Sequence, residues 1–172
     1  MPHVDLLELP YFEGISIDAL VSLVDLMEPE YFSANAIIME EGQHVPPPLY
    51  IAINGRVRIS KRTPDANERY LAEFDSPTLF GEIELFCQHP PVATARALTP
   101  VSTFKLTRKT FDRLFEARHE ALLRFTYNVT RVVCHRLAIA DEILARAAHA
   151  PTQEDLLKIQ STVFSSITSD VG

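Results

Sequence analysis

In a chain of 172 residues, the segment FGEIELFCQHPPVATARA, Phe80 to Ala97, has the residue types from which an anion site is built. Gly81 can take a tight turn, and Glu82 is a carboxylate suited to the start of a short helix. A phosphate removed from water also needs a cation beside it. No Lys or Arg stands between Phe80 and Ala95. The same Gly81-Glu82 pair has a purely structural reading, as a turn and a helix-start charge. Other chemistry is poorly represented. Gly-rich nucleotide loops and a Gly-x-Ser-x-Gly elbow are absent. The histidines, His3, His44, His89, His119, His135 and His149, lack metal-ligand spacing, and only a fold that joins His44 to His89 would give a composite site. Cys87 and His89 lack a third group to orient them as a catalytic pair. The expectation is a protein with no catalytic residues, no metal and no obligatory cofactor.

Composition narrows the classes further. The chain is 47% hydrophobic, enough for a sizeable core, and carries 16 Lys+Arg against 23 Asp+Glu, a net charge of −7. That balance opposes unaided attraction to nucleic acid or anionic lipid. No apolar run reaches the roughly 18 residues of a membrane span, and the first residues lack the basic start of a signal peptide. The reading is cytoplasmic, without membrane association. Cys87 and Cys134 are too few for a disulfide framework.

The elements follow from periodicity. Ser16 caps a helix in which Ile17, Leu20, Val21, Leu23, Val24 and Met27 recur at helical spacing. From Tyr31 to Leu106 come short β-type runs, YFSANAIIM, LYIAI, RVRIS, RYLAEF, VATARA and VSTFKL, which predict a sandwich or small barrel. Asn54-Gly55 predicts a hairpin between LYIAI and RVRIS, and Asp65-Ala66-Asn67 a second turn. Thr107 or Thr110 starts a short helix, and a long one runs from about His119 to Ala147. Its apolar stripe includes Leu122, Phe125, Val129, Val133, Leu137, Ala140 and Leu144. One chain has little to cover the far end of such a helix, so the stripe predicts a homodimer through these residues. The division expected is 1–147 as one domain and 148–172 as a short tail with a partner-binding helix.

EGQHVPPPLYIAINGRVRI, Glu40 to Ile59, resembles the EG…YxIxxGxVxI pattern of the cyclic-nucleotide-binding domain, as in catabolite-activator-type regulators and protein kinase A regulatory subunits. FGEIELF then falls on that family's phosphate-binding cassette. The resemblance covers about Tyr11 to Ala147. It implies an α+β, mainly β fold: an eight-stranded double-stranded β-helix, or jelly roll, with an N-terminal helix and a long C-terminal helix over the ligand. It also implies that Phe80, Gly81, Glu82, Ile83, Glu84, Leu85, Pro91, Val92 and Ala93 form the cassette, with Glu82 accepting a ribose hydroxyl.

Two positions depart from the pattern. Asn35 stands for a turn glycine, and asparagine tolerates a left-handed backbone. Pro91 stands where the family has the arginine that pairs with the cyclic phosphate. Losing one side of a desolvated charge pair costs about 2–5 kcal/mol, which takes a micromolar site towards millimolar. Arg96 lies an odd number of residues from Pro91, on the opposite face of a strand. Arg131 and Arg136, on the long helix, are the other replacements considered. Three functions remain open. The first is a noncatalytic signalling or regulatory protein with a degenerate cyclic-nucleotide-binding domain, a dimeric scaffold that binds a protein partner. The second is a sensor of cyclic AMP, cyclic GMP, cyclic di-GMP or another small ligand through an altered pocket. The third is the sensor domain of a transcription regulator. The 21 residues after Pro151, with Lys158 their one basic side chain, predict no DNA binding by this chain alone.

Overall fold

The computed structural model describes residues 6–65 and 67–147. Two single-turn 3-10 helices, Leu6–Glu8 and Pro10–Phe12, precede α1 (Ile17–Val24). Ser16 caps α1 as expected, its hydroxyl accepting from the Ala19 N–H at 3.3 Å. The eight strands are β1 (Glu28–Phe32), β2 (Ile37–Met39), β3 (Leu49–Asn54), β4 (Arg56–Arg62), β5 (Glu68–Asp75), β6 (Thr78–Phe80), β7 (Thr94–Ala97) and β8 (Val101–Leu106). They form two antiparallel four-stranded sheets, ordered β1-β8-β3-β6 and β2-β7-β4-β5. Three helices complete the chain: α2 (Glu82–Cys87), α3 (Arg108–Glu116) and α4 (Glu120–Ala147). The expected jelly roll with flanking helices is the fold.

Strand β3 shows how the pleat divides the interior. Leu49 and Ile51 point to the helices and join Tyr11, Phe12, Leu23, Leu106, Leu122 and Phe125 in one core. Tyr50 and Ala52, on the opposite face, pack with Val57, Phe80, Ala95 and Val101 between the sheets. The second of these cores is the floor under the candidate site.

The structure corrects three expectations. YFSANAIIM is two strands, broken where Asn35 takes φ 68°, the left-handed conformation expected of it. Asn54-Gly55 is not a hairpin turn. Strand β3 pairs with β6 and β8, while β4 pairs with β5 and β7, so the dipeptide carries the chain from one sheet to the other. Gly55 has φ 86°, and a Cβ there would lie 2.3 Å from the Pro100 carbonyl oxygen. The dipeptide signals positive φ, and positive φ also suits a corner crowded by a third segment. The real hairpin joins β4 to β5, with the Thr63 N–H bonded to the Asn67 carbonyl at 2.8 Å.

The third correction concerns the long helix. Leu122, Phe125 and Val129 are fully buried inside this one chain, Phe125 stacking on Phe12 with centroids 5.3 Å apart. They are core residues and cannot also form a seam between two copies. Asn128 fixes the same stretch, its side-chain amide donating to the carbonyls of Tyr11 and Glu13 at 3.1 and 2.8 Å. Val133 packs partly against this core, while Leu137 and Leu144 are exposed. The tail assigned to 148–172 lies outside the described residues. Among the described residues, no helix is long and apolar enough to cross a membrane.

Candidate functional site

The site begins where β6 ends. Gly81 takes φ 85°, and a Cβ at that position would meet the Pro48 carbonyl oxygen at 2.7 Å, so close approach of the β3 entry requires glycine there. The turn leads into α2, whose first turn carries Glu82 and Glu84, both buried. A cavity of about 60 Å³ lies against this helix, room for roughly two waters. Its wall comprises Phe80, Gly81, Glu82, Ile83, Glu84, Val92 and Ala93 of the expected cassette. Met39, Ile59, Phe74 and Leu79 add an apolar floor, and Arg136 enters from α4. Leu85 and Pro91 are not in the wall. Leu85 is buried in the helix-side core, and the buried Pro91 accepts from the Gly42 N–H at 2.9 Å through its carbonyl.

Of the three arginines considered, Arg136 lines the cavity and Arg96 and Arg131 do not. Arg96 donates to the Asn35 carbonyl at 3.0 Å, away from the cavity. Arg131 pairs with Glu13 at 2.8 Å and lies over the Tyr127 ring. Arg136 donates through one Nη to Glu82 Oε1 at 2.9 Å and through the other to the Tyr11 hydroxyl at 2.8 Å. Its Nε, also buried, has no acceptor among the described residues. Burial pushes the Tyr11 phenol well above its ordinary range, although the Arg136 charge pulls the other way, so the hydroxyl stays neutral. One guanidinium thus joins α4, α2 and the N-terminal segment. It faces Glu82, on the helix side.

Glu84 has a different partner. It is 3% exposed, and its carboxylate accepts from the Val92 N–H at 3.3 Å. A backbone donor that could serve a bound anion is therefore held by the chain's own carboxylate. Burial raises the Glu84 carboxyl above the ordinary range, opposed by backbone hydrogen bonds including that of Val92 and reinforced by the charge of Glu82. A raised value means the folded state favours the protonated form. The associated stability is full below the ordinary carboxylate value and is lost as pH rises through the raised one. Glu84→Gln, which keeps the Val92 acceptor, is expected to melt above the parent at pH 7 and to lose that advantage as pH falls to 4. Equal melting temperatures across this range would contradict the assignment.

The hydroxyl side chains of α4 and β7 lie outside the cavity wall. Thr126 and Thr130 bond back to carbonyls one turn earlier on α4, and Tyr127 is exposed. Thr94 is a strand residue whose hydroxyl accepts from the Glu41 N–H at 3.0 Å. Sequence reasoning missed Met39, Ile59, Phe74, Leu79 and Tyr11. Met39, Ile59 and Phe74 lie in runs that patterning predicts as strands, without showing that a cavity opens beside them, and Leu79 lies in β6, which is too short to be predicted.

Two four-stranded sheets, a glycine-glutamate turn and a long C-terminal helix thus make one roll. The family model for the cyclic nucleotide-binding domain matches residues 29–118, more than half of the chain, and the chain belongs to that family. Over 134 residues it is 28% identical to a CRP-like cAMP-activated global transcriptional regulator of Mycobacterium tuberculosis. That match covers 78% of this chain and 58% of the regulator, so the chain spans little more than half of that relative's length. Among solved structures, Thermus thermophilus catabolite activator protein shares the fold, with a TM-score of 0.74, 23% identity, and coverage of 81% of this chain and 63% of that one. A regulatory subunit of a cAMP-independent protein kinase A from Trypanosoma brucei is 28% identical, with a TM-score of 0.61, and the match covers 73% of this chain and 43% of that one. That structure is a variant in which Glu, Thr and Val, spaced by seven and then one residue, are Ala, Arg and Ala, and it is bound to cAMP in the A site.

Proposed function

We propose that this chain is a noncatalytic regulatory module whose cyclic-nucleotide pocket is degenerate, and which acts as a dimer towards a protein partner. The observation that carries this reading is the Glu84 carboxylate holding the Val92 N–H, with Pro91 in place of a cation. An incoming cyclic phosphate would lose a donor, meet a buried carboxylate and find no arginine on its side of the cavity. The Trypanosoma brucei variant supports it: Glu84, Pro91 and Val92 have the same spacing, seven and then one, as the three replaced residues of that cAMP-bound protein. In this reading Glu84 and Val92 are the unreplaced forms, and Pro91 stands where an arginine was introduced.

The dimer is supported by α4, whose exposed Leu137 and Leu144 stand seven residues apart, two helical turns, beyond the part committed to the core. Residues 148–172, with Leu156, Leu157, Ile159, Val163, Phe164 and Ile167, supply the apolar tail assigned to the partner. Sedimentation of the purified chain tests the reading. The expected result is a dimer unchanged by 1 mM cyclic AMP or cyclic GMP and dissociated by the double change Leu137→Asp and Leu144→Asp. A monomer, or a dimer whose population shifts with cyclic nucleotide, would overturn it.

A further inference from the structure

The hairpin between β4 and β5 carries a charge arrangement that the fold leaves open. Lys61 on β4 stands directly opposite Arg69 on β5 in the antiparallel register. Like charges in that position repel each other. Neither side chain has a partner among the described residues, whereas the cations on the other side of β4 are engaged. Arg56 pairs with Asp75 at 3.4 Å, Arg58 with Glu73 at 2.7 Å and Arg62 with Glu40 at 2.8 Å. The pleat separates the two groups: Arg56, Arg58 and Arg62 alternate with the buried Val57 and Ile59, and Lys61 continues the row of those two.

Thr63 closes the hairpin beside this pair. Its N–H and its hydroxyl both donate to the Asn67 carbonyl, at 2.8 and 3.1 Å, which sets it opposite Asn67. Lys61 is then two positions back on the same face and Arg69 the diagonal neighbour, about 7–8 Å away and within reach of long side chains. The carboxylates nearby are Glu68, which accepts from the Ser60 hydroxyl, Glu41, which accepts from the Arg62 N–H at 2.7 Å, and the exposed Asp65. The local sequence is Lys61-Arg62-Thr63-Pro64, with Thr63 half-buried and Pro64 exposed. The proline holds Thr63 in an extended backbone. Two other hydroxyls precede a proline, at Ser76 and Thr99. The Ser76 hydroxyl is buried, and the Thr99 hydroxyl accepts from the Arg56 N–H at 2.9 Å in the crowded corner at Gly55. Only at Thr63 do an exposed turn and unpaired cations come together.

We propose that Thr63 is a phosphorylation site and that Lys61 and Arg69 receive its phosphate. A kinase transfers the γ-phosphoryl group of a nucleoside triphosphate: an O–P bond forms at Thr63 Oγ1, the bond to the leaving nucleoside diphosphate breaks, and the hydroxyl proton passes to the kinase. The product carries a charge of about −1.5 to −2 at pH 7, which matches the two cations. The test has two arms on the full chain. In the first, phosphothreonine is incorporated at position 63 during synthesis and its ionisation is followed by phosphorus NMR. The second ionisation of a free phosphothreonine falls at about pH 6, and adjacent cations favour the dianion and lower it. A midpoint of about pH 5.5 or below is expected, returning to about 6 in the exposed double change Lys61→Gln and Arg69→Gln and unmoved by Arg58→Gln on the other face. In the second arm, magnesium-ATP and a proline-directed Ser/Thr kinase are expected to add one phosphate, on Thr63, and none there in Thr63→Val. A midpoint that Lys61 and Arg69 do not move, no phosphate on Thr63, or phosphate on Ser76 or Thr99 in its place would overturn the proposal.

Discussion

Replacing Glu84 by Ala, Pro91 by Arg and Val92 by Ala together is expected to give micromolar binding of cyclic AMP, where the unmodified chain is expected to bind none up to about 1 mM. The gain comes from three separate terms. The guanidinium introduced in place of Pro91 would supply the cation, worth about 2–5 kcal/mol in a desolvated pair, or thirty-fold to a few thousand-fold in affinity. Removing the Glu84 carboxylate frees the Val92 N–H and takes away a like charge. A smaller residue at 92 opens the rim, where Val92 is 37% exposed. The Pro91 carbonyl accepts from Gly42, and any residue at 91 keeps that bond. The single changes are expected to fall short. Pro91→Arg alone would place a guanidinium beside Glu84, where the two side chains pair with each other, and Glu84→Ala alone leaves no cation. A folded triple variant that shows no heat with 1 mM cyclic AMP would contradict this account of the lost site.

The largest effect on stability is expected from Phe125→Ala. Phe125 is fully buried and stacks on Phe12, and Asn128, one turn later, holds the same N-terminal segment by two hydrogen bonds. Removing a buried phenylalanine side chain costs about 3–5 kcal/mol, because the cavity collapses only partly. The consequence reaches the pocket, since Arg136 follows Phe125 by 11 residues on the same helix, about 16 Å along its axis. Urea unfolding is expected to show a lower midpoint with an unchanged slope. A loss below 1 kcal/mol would mean that α4 is held chiefly by something other than this contact.

These two changes bear on how much of the molecule the sequence discloses. A sandwich or small barrel was legible because its signals are local, the short β-type runs, the Ser16 cap and a helix start at Thr107 or Thr110, while the roll and the left-handed turn at Asn35 came from the family resemblance. The Thr107 hydroxyl does cap α3, accepting from the Thr110 N–H at 3.2 Å. Strand pairing is not local, so Asn54-Gly55 could be read as a positive-φ turn without revealing that the strands it joins belong to different sheets. Strand β6, only three residues long, carries too little pattern to separate it from the cassette that follows.

The site was legible in part for the same reason. Glu82, Glu84 and the missing arginine follow from the resemblance of one continuous segment to the family's cassette. Which arginine on α4 faces them does not. Arg131 and Arg136 are five residues apart, about 140° around a helix, so one can face the pocket while the other faces Glu13. The periodicity of α4 is continuous through Leu122, Phe125, Val129 and Leu137, and a single stripe cannot say where the chain's own core ends. Burial settles it: Leu122, Phe125 and Val129 are covered within the chain, while Leu137 is 60% exposed. The role of Glu84 was hidden most completely, because its contact with the Val92 N–H joins two ends of a loop.

The most direct measurement is calorimetric titration of the unmodified protein with cyclic AMP and cyclic GMP at pH 7. No heat of binding up to 1 mM of either is predicted, because the Glu84 carboxylate holds the donor and Pro91 replaces the cation. A saturating isotherm at micromolar concentration would contradict the account, and would mean that α4 moves to turn Arg136 from Glu82 towards the phosphate.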